Sequence, residues 1–142
     1  MRPLRTLGGA FLALLIAILA ACAPATIQKR AAQTLESIAI PVDGGMHAAA
    51  AWYKEGRLYN PENGVWTIVS PEDVLLTDQD WAELGAVHEK FRRAGKLAAI
   101  AIRATGPALG DREALLADVS AAAKEVLALI DLFRAKRKEL KP

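Results

Sequence analysis

The chain has a single cysteine, Cys22, and only two histidines, His47 and His88, in 142 residues. One thiol excludes an intramolecular disulfide framework and any zinc site built on several thiolates. Net charge is scarce as well, at a formal +2, which argues against an electrostatically driven nucleic-acid binder. Aromatics make up 6% of the residues, and no glycine-rich phosphate loop, His-Glu-x-x-His run, Gly-x-Ser-x-Gly elbow or Cys-x-x-Cys pair occurs. The histidines stand far apart in the chain, so neither reads as a metal ligand. His88 and Glu89 are neighbours on a helical pattern and point different ways, which makes them a poor acid–base pair. His88 reads as a seam residue whose ring reaches the surface, and Asp78 and Asp80 read as charges at a helix start rather than catalytic carboxylates. The expectation is a non-enzymatic protein without metal or cofactor. The length suits one small domain.

What is abundant is apolar, at 53% of residues, and much of it lies at the start. Arg2 and Arg5 precede an uncharged apolar run from Leu7 to Leu19, then come Ala20, Ala21 and Cys22. This is the three-part layout of an export signal. Leu19-Ala20-Ala21-Cys22 resembles the lipobox of bacterial lipoproteins, a resemblance confined to this segment. It implies cleavage before Cys22 (signal 1–21), diacylglycerylation of the Cys22 thiol and further acylation of the new N-terminus. A short lipidated tether, 22–26, and one domain, 27–142, would follow. Two acyl chains suffice for stable anchoring where one does not. Ala23, where an aspartate would favour the inner membrane, implies the periplasmic face of the outer membrane in a Gram-negative host. Two alternatives stay open. The run from Leu7 to Ala25 is long enough for an uncleaved inner-membrane signal anchor, and Ala23-Pro24-Ala25 would serve as a cleavage site for free secretion.

Beyond Cys22 alanine is the commonest residue, so the core is expected to be thin and helical. Ile27, Ala31, Thr34, Leu35 and Ile38 share a face of a first helix, which Pro41 and Asp43-Gly44-Gly45 are expected to end. Met46 to Tyr53 reads as a short separate helix. Arg57-Leu58-Tyr59 and Val65 to Val69 flank a turn-rich Asn60-Pro61-Glu62-Asn63-Gly64, giving a small β-hairpin over about 57–69. Pro71 and Thr77, the latter with Asp80 three residues on, mark two helix starts.

The strongest pattern is a pair of heptad seams. Trp81, Leu84, His88, Phe91, Gly95, Ala98 and Ile102 alternate in spacings of three and four, as do Leu115, Val119, Ala122, Val126, Leu129 and Phe133. Thr105 to Gly110 is the loop between them. The expected fold is mainly α: a long antiparallel αα-hairpin, about 78–104 and 111–140, with an N-terminal helix and the β-hairpin. Counting out from the loop aligns Ala98 with Val119, Phe91 with Val126 and Leu84 with Phe133. It also puts Gly95 against Ala122 for close approach and Trp81 near Lys136 and Arg137 for a cation–π contact. Leu116, Ala123, Leu127 and Ile130 form a second stripe that needs cover.

Acids cluster from Glu55 to Glu83, and bases (Arg134, Lys136, Arg137, Lys138, Lys141) crowd the end. The bases complement the helix dipole, or else contact anionic lipid or cell-wall polymer. The expected role is a structural or protein-interaction module of the envelope, held at the membrane through Cys22 and bound to an envelope protein. One alternative is a small-molecule or glycan binder using Trp52, Tyr53, Tyr59 and Trp66. The other is an envelope linker similar in kind to phage spanins or the murein lipoprotein, although Pro142 stands where murein attachment uses a lysine and the seams read as a folded hairpin.

Overall fold

The computed structural model describes the backbone of residues 4–104 and 109–140, and the side chains of 26–104 and 111–140. Its elements run α1 (Leu4–Lys54), β1 (Arg57–Asn60), β2 (Val65–Ile68), a 3₁₀ turn (Pro71–Asp73), α2 (Asp78–Arg103) and α3 (Leu109–Leu140). The loop expected between the long helices falls mostly on 105–108, outside the described residues.

The αα-hairpin is present. Leu84, Phe91, Ala98 and Ile102 are buried on α2, and Val119, Ala122, Val126 and Phe133 on α3, each from its seam. Across the pair, Lys90 Nζ lies 2.7 Å from Glu125 and Lys136 Nζ 3.8 Å from Asp80. The expected alignment places Lys90 opposite Leu127 and Asp80 opposite Arg137, so the observed partners lie within two residues of it. Thr77 begins α2 with a full capping box: its hydroxyl accepts from the Asp80 N–H while the Asp80 carboxylate accepts from the Thr77 N–H. Two backbone donors at the helix start are satisfied in this way.

The N-terminal segment differs from expectation. The helix does not end at Pro41 or the following glycines; α1 is continuous for 51 residues and takes in the separate helix expected from Met46. Local preference opposes this, at about 3 kcal/mol for the proline and about 1 for each glycine. Packing prevails. Val42 and Ala49 are fully buried and Trp52 nearly so, at helical spacing along the face that covers the second stripe of α3. Each large side chain so buried contributes about 1.5–3 kcal/mol. Gly45 has a positive reason to be glycine: a Cβ there would stand 2.7 Å from Ile130 Cδ1. The dipeptide that reads as a helix breaker therefore includes a point where α1 packs tightly on α3.

Gly95 is the reverse case. The expected close approach is not what it serves, because a Cβ at this position meets nothing within 4 Å. Gly95→Ala is accordingly expected to stabilise the fold by about 1 kcal/mol through helix propensity alone, read as a raised denaturation midpoint in urea. A destabilised variant would show that the helix pair is tighter here than the structure has it.

The three helices run up, down and up. Ala32 and Leu35 of α1 share a cavity lining with Ile102 and Arg103 of α2, whereas Tyr53 stacks on Trp81. Gly45 meets Ile130 and Glu55 meets Arg137 on α3. The bundle thus has two distinct ends, one at the α2–α3 connection and one that carries the β-hairpin.

Candidate interaction surface at the hairpin end

After Lys54 the chain reverses at Gly56, whose φ of +73° suits glycine, and whose Cβ, if present, would stand 2.5 Å from the Ser70 carbonyl oxygen. That carbonyl end of the hairpin is closed by Val69 and Ser70, which donate to the Gly56 carbonyl at 2.9 and 3.1 Å. The strands pair antiparallel, Arg57 with Ile68 and Tyr59 with Trp66. At the tip, Asn60 Oδ1 accepts from the Glu62 N–H, Asn63 Oδ1 accepts from the Val65 N–H, and Gly64 takes φ +69°. Side chains of this kind hold turns by bonding their own backbone.

Arg57 fastens the hairpin to the bundle. Its side chain is 1% exposed, and its guanidinium donates to the carbonyls of Tyr53 (2.6 Å) and Leu76 (2.8 Å) and to Asp78 Oδ1 (3.1 Å). It also lies 4.0 Å over the Tyr53 ring. The Tyr53 hydroxyl donates to Asp78 at 2.9 Å. Burial raises the pKa of that hydroxyl, as do its bond to Asp78 and that residue's charge, against the opposing pull of Arg57.

The four aromatics expected to form one binding surface occupy three settings. Trp52 is buried under the guanidinium of Arg137, 5.9 Å from its ring centre. Tyr53 is stacked on Trp81 at 4.9 Å. Tyr59 and Trp66 are a tilted cross-strand pair at 5.0 Å, with Lys54 Nζ 5.7 Å over the indole. The cation expected on Trp81 sits on Trp52 instead, and Trp81 has Tyr53 as its ring partner. A continuous α1 is the reason: it brings Trp52 and Tyr53 to the ends of α3 and α2 respectively, so each meets a different helix.

Sequence reasoning missed Arg57, which reads as one base among acids, and the outer face of the hairpin. On the face opposite Arg57 and Tyr59, Leu58, Val65 and Val69 are each more than half exposed. Their β-branched and aliphatic character is a strand signal, and alternation alone does not tell a buried face from an open one.

Two of the C-terminal bases reach other elements of the bundle, and a third pairs on its own helix. Arg137 bonds Glu55 at 3.0 Å, Lys136 approaches Asp80 and Arg134 pairs with Asp131. Arg134, Arg137 and Lys138 share with Trp52 a shallow groove of about 240 Å³. Lys141 lies outside the described residues, as does the side chain of Cys22. His88 is half-buried beside Phe91 and lines a groove with Glu36, Ile40, Asp43 and Arg92, while the His47 ring bonds the Asp43 carbonyl. Among the residues whose side chains are described, 26–104 and 111–140, no group of three or more His, Cys, Asp or Glu could hold a metal ion, and no helical stretch there is long and apolar enough to cross a membrane.

Burial raises the pKa of Asp80, but the bonds from the Thr77 backbone and hydroxyl, aided by Lys136, outweigh it and hold the carboxyl below its ordinary value. A lowered native pKa means that Asp80 stabilises the fold above its unfolded value of about 3.9 and ceases to do so as pH falls through the lower native one. Asp80→Ala is expected to cost about 1 kcal/mol at neutral pH, and the gap from wild type should narrow below about pH 4. A gap that stays constant in acid denaturation series would contradict the assignment.

The described geometry defines a three-helix bundle with a β-hairpin at one end. No family model, no curated protein and no solved structure matches the chain.

Proposed function

We propose that the chain is a membrane-anchored bacterial envelope lipoprotein, lipidated at Cys22, that acts as a structural and protein-interaction module. One observation carries the reading. The anchor segment and the bundle share a single helix, α1, with about thirty residues from Cys22 to Trp52. At 1.5 Å per residue this is about 45 Å. An anchor at Cys22 therefore holds the domain on a stiff rod and carries the β-hairpin well away from the bilayer. There the open aliphatic face of Leu58, Val65 and Val69 is available to an envelope partner. Ala23 after the cysteine favours the periplasmic face of the outer membrane in a Gram-negative host. The separation of the four aromatics into three settings, two of them against helix partners, supports an interaction module over an aromatic ligand cleft. The folded bundle weighs against an extended linker.

Two measurements test this. Intact mass of the mature wild-type protein is expected to show an acylated N-terminal Cys22, absent in Cys22→Ser; an unacylated wild type would overturn the lipoprotein reading. Photo-crosslinkers placed at 58 and 65 in living cells are expected to trap one discrete envelope protein, and the same site at 132 on α3 is not. Equal trapping at all three positions, or none at 58 and 65, would overturn the hairpin as the docking face.

A further inference from the structure

The charge on α2 is divided along its length. From Asp78 to Glu89 the charged side chains are all acidic (Asp78, Asp80, Glu83, Glu89), and from Lys90 to Arg103 all are basic (Lys90, Arg92, Arg93, Lys96, Arg103). The basic half also exposes two large aliphatic side chains, Leu97 and Ile100, each at 57%. They sit one turn apart on one face, with Arg93 one turn before Leu97 and Arg103 one turn after Ile100. Lys90 is paired with Glu125, and Arg92 and Arg93 with Glu89. Lys96 and Arg103 make no ion pair among the described residues, in contrast to Lys136 and Arg137 at the other end of the bundle.

This half of α2 is also the half nearest the anchor. Arg103 and Ile102 line a cavity of about 260 Å³ with Ala32, Leu35 and Glu36. About ten residues of helix, some 15 Å, lead from Ala32 back to Cys22. The lipid-anchored and the uncleaved-anchor readings both put the bilayer at this end.

We propose that the C-terminal half of α2 docks on the anionic phospholipid headgroups of the bilayer that holds the N-terminal anchor. The proposal rests on the anchored reading given above. Aliphatic side chains flanked by Lys and Arg form the surface that lies well in a headgroup layer, where the chains reach the acyl boundary and the cations meet phosphate. A tether of about 15 Å makes this contact intramolecular in effect, so a weak interaction suffices to hold it. The acidic half of α2 is repelled by the same surface. The bundle therefore leans on residues 93–103 and cannot lie flat, which keeps the β-hairpin raised.

Acylation of Cys22 consumes the chain's only thiol, so a cysteine introduced elsewhere is uniquely labelled. The lipidated full chain carrying Leu97→Cys, Ile100→Cys or, as control, Leu132→Cys (64% exposed on α3) is labelled with a small fluorophore. It is then reconstituted in phosphatidylcholine vesicles with about 30% phosphatidylglycerol and a headgroup nitroxide quencher. Quenching at 97 and 100 is expected to exceed that at 132 about threefold. It is expected to fall toward the control in high salt and in a Lys96→Glu, Arg103→Glu background with unchanged helicity. A chain that floats with the vesicles yet is quenched no more at 97 and 100 than at 132 overturns the docking and leaves the anchor intact. A chain that does not float overturns the anchored reading, and the docking with it.

Discussion

Arg57→Met is expected to destabilise the protein by about 2–4 kcal/mol, because it leaves the carbonyls of Tyr53 and Leu76 without the donor they now have. The cost comes from those acceptors more than from the ion pair. Asp78 is 80% exposed on its side chain, so water solvates it whether or not Arg57 is present. Asp78→Ala is therefore expected to lose less than about 1 kcal/mol. Arg57→Lys should behave nearly as badly as methionine, since one ammonium cannot reproduce a planar fork directed at two carbonyls and a carboxylate. Urea denaturation followed by circular dichroism ranks the three. Equal losses for Arg57→Met and Asp78→Ala would mean that the ion pair, not carbonyl satisfaction, fastens the hairpin. The hairpin is small enough to depend on this residue, since two strands alone are marginal in water.

Ile130→Ala is expected to cost about 2–5 kcal/mol, as Ile130 is fully buried where α1 crosses α3. The sharper test couples it to Gly45. Gly45→Ala gains about 1 kcal/mol of helix propensity, but places its Cβ 2.7 Å from Ile130 Cδ1. Overpacking of that sort costs about 1–3 kcal/mol, so the single variant should be neutral or destabilised. Ile130→Val deletes the Cδ1 atom. In that background Gly45→Ala meets only the remaining branch carbons at 3.5 and 3.8 Å, ordinary contact distances. The alanine should then stabilise by about 1 kcal/mol. A double-mutant cycle measures the difference directly. Additivity within about 0.5 kcal/mol would reject the contact, because residues that touch are the ones that couple.

These two sites show why some of the structure is legible in sequence and some is not. The αα-hairpin is legible because its evidence is periodic and repeated. Each seam repeats its three-and-four spacing over several turns, and Thr77 with Asp80 marks a start that the cap geometry bears out. The β-hairpin is legible for a similar reason, since Asn60, Asn63 and Gly64 carry turn chemistry that acts within a few residues. Pro41 and Gly44-Gly45 carry local signals of the same strength, and there the local reading fails. Their cost is real, but it is outweighed by the burial of Val42, Ala49 and Trp52 against a helix that lies far along the chain.

The aromatic site fails for a related reason. Trp52, Tyr53, Tyr59 and Trp66 are close in sequence, which suggests one surface. Adjacent residues on a helix point about 100° apart, so Trp52 meets Arg137 on α3 and Tyr53 meets Trp81 on α2. Arg57 is hidden from sequence reasoning altogether: an arginine's role is set by which carbonyls surround it, and Leu76 and Tyr53 are brought to it only by the fold.

The sequence by itself determined the helical class, the seam pairing, the capped start of α2 and the turn at Asn60 to Gly64. All of these depend on interactions within a few residues or on a period repeated along one element. Only the tertiary structure decided that α1 runs unbroken, that the aromatics part company, that Lys136 and Arg137 reach across to Asp80 and Glu55, and that the basic half of α2 lies beside Ala32 and Leu35 of α1. Those outcomes turn on which distant segments meet, and the free energy of such meetings exceeds the few kcal/mol by which local preferences are felt.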